Sequence, residues 1–207
     1  MLPLVSPLIA PRRDSVFLES VSVARAPSSK FTVDRQRNDG YRFVINLLIS
    51  CFYSIFPRVY SVGMYGDEET KEELSSISKS DDKTAIAALR KGASGSSSFV
   101  LKMNFKVGAE KMASAIADSV SPRHSSASEV SELKDLIFAG VSDKGAAVKG
   151  TVIEFDCSDG VEVTVDGKTI GKVESEGLAK ALCDCYLDDK CVSPKLRESI
   201  IDNCCAE

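Results

Sequence analysis

The strongest constraint on this chain lies between residues 151 and 173. Three short segments, 151–156 (TVIEFD), 161–165 (VEVTV) and 168–173 (KTIGKV), follow one another with little chain between them. Asp166-Gly167 separates the last two, and a two-residue connection of this kind is a hairpin turn that takes positive φ. Residues 157–160 (CSDG) turn the chain between the first two. Strands joined so tightly pair antiparallel, because a parallel pair needs a long crossover between its members. A three-stranded meander is predicted.

Other strands precede it. Phe99, Leu101, Met103, Phe105 and Val107 alternate with Val100, Lys102, Asn104 and Lys106, which predicts a single strand with one apolar face after the Ser/Gly loop at 92–98. Residues 59–65 predict another, with Tyr60, Val62 and Met64 on one face. The longest uncharged apolar run, 43–57 (FVINLLISCFYSIFP), contains an Asn and two Ser. A membrane-spanning helix wants roughly 18 or more predominantly apolar residues. The β-branched and aromatic content of this run reads as buried strand, and no membrane span is expected.

Helical periodicity fills the gaps. Met112, Ile116 and Val120 recur at i, i+4, i+8 and predict an amphipathic helix over 109–120, ended by Ser121-Pro122. Ser126-Ala-Ser-Glu129 is a capping box before a stripe of Val130, Leu133, Leu136 and Ile137, with Gly140 placed as the C-terminal cap. Leu178, Ala181, Leu182, Cys185 and Tyr186 share one helical face. Ser193-Pro194 opens a last helix with Leu196, Ile200, Ile201 and Cys204 inward. Residues 68–76 and 81–90 predict two further helices. The class is α+β, an antiparallel sheet covered by helices on one side.

Charge and reactive side chains exclude several functions. With 26 Lys and Arg against 30 Asp and Glu, the chain lacks the basic footprint of a nucleic-acid binder. Its one histidine, His124, follows Ser-Pro-Arg and reads as a solvated loop residue. Cysteines stand at 51, 157, 183, 185, 191, 204 and 205, with no C-x-x-C and no His near the C-terminal cluster. Cys183-Asp184-Cys185 and Cys204-Cys205 read either as redox or metal pairs or as reduced thiols packed as small hydrophobes, and the second reading is preferred. The acidic runs Asp67-Glu68-Glu69 and Asp188-Asp189 read as helix-end residues that complement the dipole or cap a turn. No phosphate loop or nucleophile elbow occurs, so no catalytic residue, metal or cofactor is assigned.

Several segments carry a family resemblance. TVIEF, VEVTVDGKTIGKVES and LAKALCDCYLDDKCVSPKLRESI resemble the end of chalcone-isomerase-fold proteins. RVYSVGMYG at 58–66 resembles a strand of that family, and FKVGAEKMASAIADSVSPR at 105–123 is similar to the strand-to-helix stretch of its fatty-acid-binding branch. The resemblance covers 58–207 and implies an open-faced β-sandwich, an antiparallel sheet on a layer of helices. Residues 26–57 do not match the family's first strands and form a divergent segment, so the N-terminal strands are expected to be incomplete. Residues 1–25 form a candidate organelle transit segment, since 1–13 carry two Arg and no acid.

The family holds two activities. Its isomerases close a chalcone to a flavanone and carry a Tyr and an Asn seven residues apart on the helix matching 109–120. Here those places align with Lys111 and Asp118, and no Tyr or Asn occurs within 109–120. The acyl-binding branch grips a carboxylate with a Tyr and an Arg. Tyr60 matches that Tyr, whereas the Arg position is Leu47, and the neighbouring arginines are Arg42 and Arg58. The resemblance thus implies a fatty acid as partner, its head at Tyr60 and its tail along Val62, Met64, Met112 and Ile116. It also implies residence in the chloroplast stroma, with the cytoplasm as the alternative. A flavonoid-pathway isomerase and an auxiliary protein without ligand are the other readings.

Without the Tyr/Asn pair there is no group to stabilise charge developing in the cyclisation transition state. Chalcone turnover at neutral pH should therefore not exceed the spontaneous rate. Cyclisation well above that rate, retained in Lys111→Ala, would refute the non-catalytic reading.

Overall fold

The computed structural model describes residues 59–207 together with the backbone of one earlier strand, Phe43–Leu47. The candidate transit segment, the remainder of the divergent segment, Arg42, Cys51 and Arg58 lie outside the described residues.

Six strands form one antiparallel sheet in the order β1-β2-β3-β6-β7-β8. These are β1 Phe43–Leu47, β2 Tyr60–Gly66, β3 Ser98–Met103, β6 Val152–Asp156, β7 Val161–Val165 and β8 Lys168–Val173. Two short strands, β4 Val107–Gly108 and β5 Ala146–Ala147, pair separately. The helices are α1 Glu68–Ser75, α2 Asp82–Ala93, α3 Ala109–Val120, α4 Ala127–Ser142, α5 Glu176–Leu187 and α6 Pro194–Cys204. A 3-10 turn, Ser121–Arg123, joins α3 to α4.

The register explains the layers. Phe99 of β3 stands opposite Met64 on one side and Phe155 on the other, and Leu101 stands between Val62 and Ile153. These residues are 0–2% exposed. Opposed residues point to the same face, so the apolar positions of β2, β3 and β6 form continuous rows that β7 extends with Val163 and Val165. Helices α4 and α5 cover this face. Tyr186 of α5 stacks on Phe99 with ring centroids 4.9 Å apart, and α4 lies over β7 and β8. The meander forms as expected. Asp166 and Gly167 turn at φ 50° and 81°, a conformation the glycine adopts without a Cβ penalty.

The structure corrects two expectations. The alternating segment 99–107 is not one strand, because β3 ends at Met103 and Val107 begins β4. Its neighbours β2 and β6 start at Tyr60 and Val152, opposite the end of β3. Phe105 therefore has no strand to pair with and is 48% exposed. Gly140 is not a cap but lies inside α4. A Cβ there would come within 2.5 Å of Val165 Cγ2 and 3.0 Å of Ile170 Cγ1. Gly171 on β8 answers it, since a Cβ there would meet Leu136 Cδ2 at 2.7 Å. The pair of glycines lets helix and sheet approach more closely than any side chain would allow.

Gly140→Ala sets a helix-propensity gain of about 1 kcal/mol against an overpacking cost of about 1–3 kcal/mol. Urea unfolding should show a net loss of stability. A gain would mean that α4 can lift off β7 and β8 at no cost.

Candidate ligand site

The predicted head-group residue opens β2. Tyr60 is half-buried, packs against the core and pairs in register with Met103. Val62 and Met64 share its face at 2% and 0% exposure. These three are brought together as strand alternation requires. Position 47, where the resemblance expects an Arg, lies on the adjacent strand β1 in register with Val62.

Met112 and Ile116 are buried at 4% and 7% on the inner side of α3. The main neighbours of α3 are α4, α5, β4 and β5, whereas β2 runs between β1 and β3. The two groups of predicted residues thus belong to one core, on elements that share no extended contact. Lys111 and Asp118 are exposed on the opposite side of α3. Clefts open among the described residues at two places that the predicted residues do not line. One of about 550 Å³ lies by Gly108, Lys111 and Phe138, and one of about 240 Å³ by Gly95, Cys157 and Gly160.

The charged groups are organised around α5. Asp184 is nearly buried and binds Arg90 Nε and Lys180 Nζ, each at 2.7 Å. Burial acts to raise its pKa, but hydrogen bonds and charge from Arg90 and Lys180 outweigh it and hold the carboxyl below the ordinary value. The thiols beside it turn inward. Cys185 donates to the Ser119 carbonyl at 3.0 Å, and burial pushes its pKa up to about 12, so it is an unreactive thiol. Every described cysteine is free. Among the described residues no His/Cys/Asp/Glu cluster is arranged to hold a metal ion.

Beyond the C-terminus of α5, Asp188 receives Arg123 at both oxygens, Nε to Oδ2 at 2.7 Å and a terminal NH2 to Oδ1 at 2.9 Å. Arg123 also donates to the Ser119 and Lys190 carbonyls. Arg197 of α6 donates to the Asp188 carbonyl at 2.6 Å. The loop after α5 thereby ties α3, α5 and α6 together. Of the two roles read for Asp188, it caps a turn, accepting from the Lys190 N–H at 2.8 Å. It does not complement the dipole, since it sits at the helix end that disfavours anions and is balanced by Arg123.

His124 corrects its reading as a solvated loop residue. Its side chain is 10% exposed, its Nε2 lies 2.7 Å from Glu129 Oε2, and its ring sits against Gly177 at the start of α5. A single polar loop residue gives no sequence signal for such burial, since the contact comes from α5, far along the chain.

The comparisons bear on this arrangement. A family model described as chalcone isomerase-like matches residues 53–201. The chain belongs to the chalcone isomerase-like family. Among solved structures, the crystal structure of a fatty-acid binding protein from Arabidopsis thaliana matches with a TM-score of 0.63 and 20% identity, over 84% of this chain and 93% of that one. That likeness is one of fold: the open-faced sheet with its layer of helices. No curated protein sequence matches the chain. In this chalcone isomerase-like chain the passage from β3 through β4 leads into α3, and the Ser-Pro-Arg that closes α3 supplies the Arg123 clamp.

Arg123→Ala leaves Asp188 without its cation and should cost about 2–3 kcal/mol at pH 7. Burial acts to raise the pKa of Asp188, but Arg123 outweighs it and the folded pKa is lowered. The stabilisation is therefore complete above the ordinary carboxylate range and is lost as pH falls through the lowered pKa. Urea unfolding should show the gap between native protein and variant closing below about pH 4. A gap that stays constant down to pH 2 would remove the ion pair as its source.

Proposed function

We propose that this protein binds a fatty acid between its sheet and its helices. The carboxylate head lies at Tyr60, and the acyl chain runs along Val62 and Met64 toward Met112 and Ile116. The observation that carries this reading is the match to the Arabidopsis fatty-acid binding protein, which spans nearly all of that chain. The half-buried phenol beside an apolar row supports it, because an acyl site needs apolar walls and one or two polar groups that fix the head.

Val62 and Met64 are already enclosed, so an acyl chain enters by displacing their neighbours. The composition of the core suits that. Met64, Met103 and Met112 are all buried, and unbranched thioether side chains repack around a guest more easily than β-branched ones. On this reading α3 contributes wall and no isomerase chemistry, since the positions aligned with the enzymes' Tyr and Asn are the exposed Lys111 and Asp118. The proposed place of action is fatty-acid metabolism in the chloroplast stroma, with the cytoplasm as the alternative.

Laurate titration tests the grip. Tyr60→Phe removes one hydrogen bond to a charged group and should weaken binding about ten- to a hundredfold. Leu47→Arg places a cation at the family's Arg position, across the β1–β2 register from Val62, and should tighten binding about tenfold. Unchanged affinity in Tyr60→Phe would take Tyr60 out of the site, and no laurate binding by the native chain would sink the reading.

A further inference from the structure

The face where β4 and β5 pair combines exposed aromatic rings with unpaired cations. Here the segments 103–111 and 145–151 run side by side. Val107 stands opposite Ala147 and Gly108 opposite Ala146, and the Gly150 N–H donates to the Met103 carbonyl at 2.8 Å. The cleft of about 550 Å³ opens on this face, with Gly108, Lys111 and Phe138 in its lining. Phe105 and Phe138, 48% and 40% exposed, are large hydrophobic side chains that the described fold leaves in solvent. Phe105 is three residues from Gly108, a span of at most about 11 Å, so both rings flank the cleft.

The charge around them runs against the chain as a whole. Segments 104–111 and 142–150 carry Lys106, Lys111, Lys144 and Lys149 against Glu110 and Asp143, whereas acids outnumber bases over the full chain. Lys134 binds Glu110 at 2.7 Å and stands in the field of Asp135, and Lys144 binds Asp166 at 2.8 Å. Lys106, Lys111 and Lys149 are exposed and form no ion pair among the described residues. α3 begins here on Gly108 with no side-chain cap, so the positive end of its dipole adds to the same field.

We propose that this face docks on a membrane surface that carries anionic phospholipids. Phe105 and Phe138 enter the boundary between head groups and acyl chains, and Lys106, Lys111 and Lys149 lie against the lipid phosphates. A bilayer surface offers hydrocarbon beneath a layer of negative charge, which is the complement of apolar tips set among unneutralised lysines. Among the described residues no helix is long and apolar enough to cross a membrane, so the contact is peripheral. The docked end of the sheet is the one that carries Tyr60, opposite Met103, though docking itself does not depend on the acyl reading.

Co-sedimentation of the full chain with phosphatidylcholine vesicles, with and without phosphatidylglycerol, tests this. Binding should require the anionic lipid and fall between about 0.1 M and 1 M salt, as the Debye length shrinks from about 10 Å to about 3 Å. Lys106→Glu with Lys149→Glu should weaken it about tenfold or more, and so should Phe105→Ser with Phe138→Ser. The chain has no tryptophan, so Phe105→Trp supplies a single fluorophore. Its emission should shift to the blue on anionic vesicles and be quenched by brominated acyl chains, which reads this face apart from any other lipid contact of the chain. No binding to anionic vesicles, equal binding to neutral ones, unchanged binding in both double variants, or a tryptophan still in water on the bound protein would each overturn the proposal. So would self-association of the native chain that Phe105→Ser with Phe138→Ser abolishes, since the occupant would then be a second copy. Laurate titration without vesicles stands or fails separately.

Discussion

Everything in this fold depends on a sheet that is apolar on one face. Met64, Phe99 and Phe155 lie in one row across three strands, and Val62, Leu101 and Ile153 in the next. Fully burying side chains of this size is worth roughly 1.5–3 kcal/mol each, above the roughly 0.5–1.5 kcal/mol net of a neutral hydrogen bond. The rows exist only in this register, since a slip of one residue would turn every one of them to the opposite face. The helices follow from them. α5 lays Tyr186 on Phe99, α4 closes on β7 through Gly140, and α3 packs over α4 and α5.

Polar groups then fix how the layer sits. Arg90 and Lys180 meet on Asp184, and Arg123 and Arg197 meet on the Asp188 loop, so the C-terminal end of α5 is anchored by arginine. A planar guanidinium that satisfies two carboxylate oxygens and two carbonyls is a geometric constraint that lysine would not reproduce. The hydrophobic rows decide that helices cover the sheet, and these forks decide at what angle. The Ser-Pro-Arg that ends α3 is thus a joint between helices and not merely a helix stop.

Much of this is legible in the amino-acid sequence. Period-two alternation located the central strands, and Asp166-Gly167 located their turn, because local chemistry alone sets both. The inward stripes of α3, α4, α5 and α6 were legible for the same reason. The misreadings share one cause. Gly140 carries the local signature of a cap, but its role is set by Val165, twenty-five residues away in sequence and in contact in space. Phe105 continues a perfect alternation, yet its strand stops where the neighbouring strands begin. His124 looked solvated because nothing near it in sequence could cover it. In each case tertiary contact overrode a correct local rule. Of the candidate site, the shared face of Tyr60, Val62 and Met64 is legible from alternation, whereas the packing of α3 mainly on α4 and α5 is not, because helix-to-sheet assignment is not written in periodicity.

The substitution at position 47 bears on what such a site could do. A carboxylate held by a phenol alone receives one hydrogen bond and no opposing charge, and it must shed water to enter an apolar core. A phenol and a guanidinium together offset that desolvation, because the hydrogen bonds to charge are the strong ones. With Leu at the position across from Val62, the chain carries an apolar residue type where the resemblance implies an Arg. On the proposed acyl-binding reading, affinity then shifts from the head toward the tail, and selectivity follows the length of apolar chain that the methionines accommodate more than the acidity of the head. A chain of this kind should distinguish a fatty acid from its neutral ester weakly, and the Leu47→Arg variant should distinguish them strongly. The ratio of laurate to methyl laurate affinity in the two proteins reads that difference directly, and an equal ratio in both would show that position 47 does not face the head group.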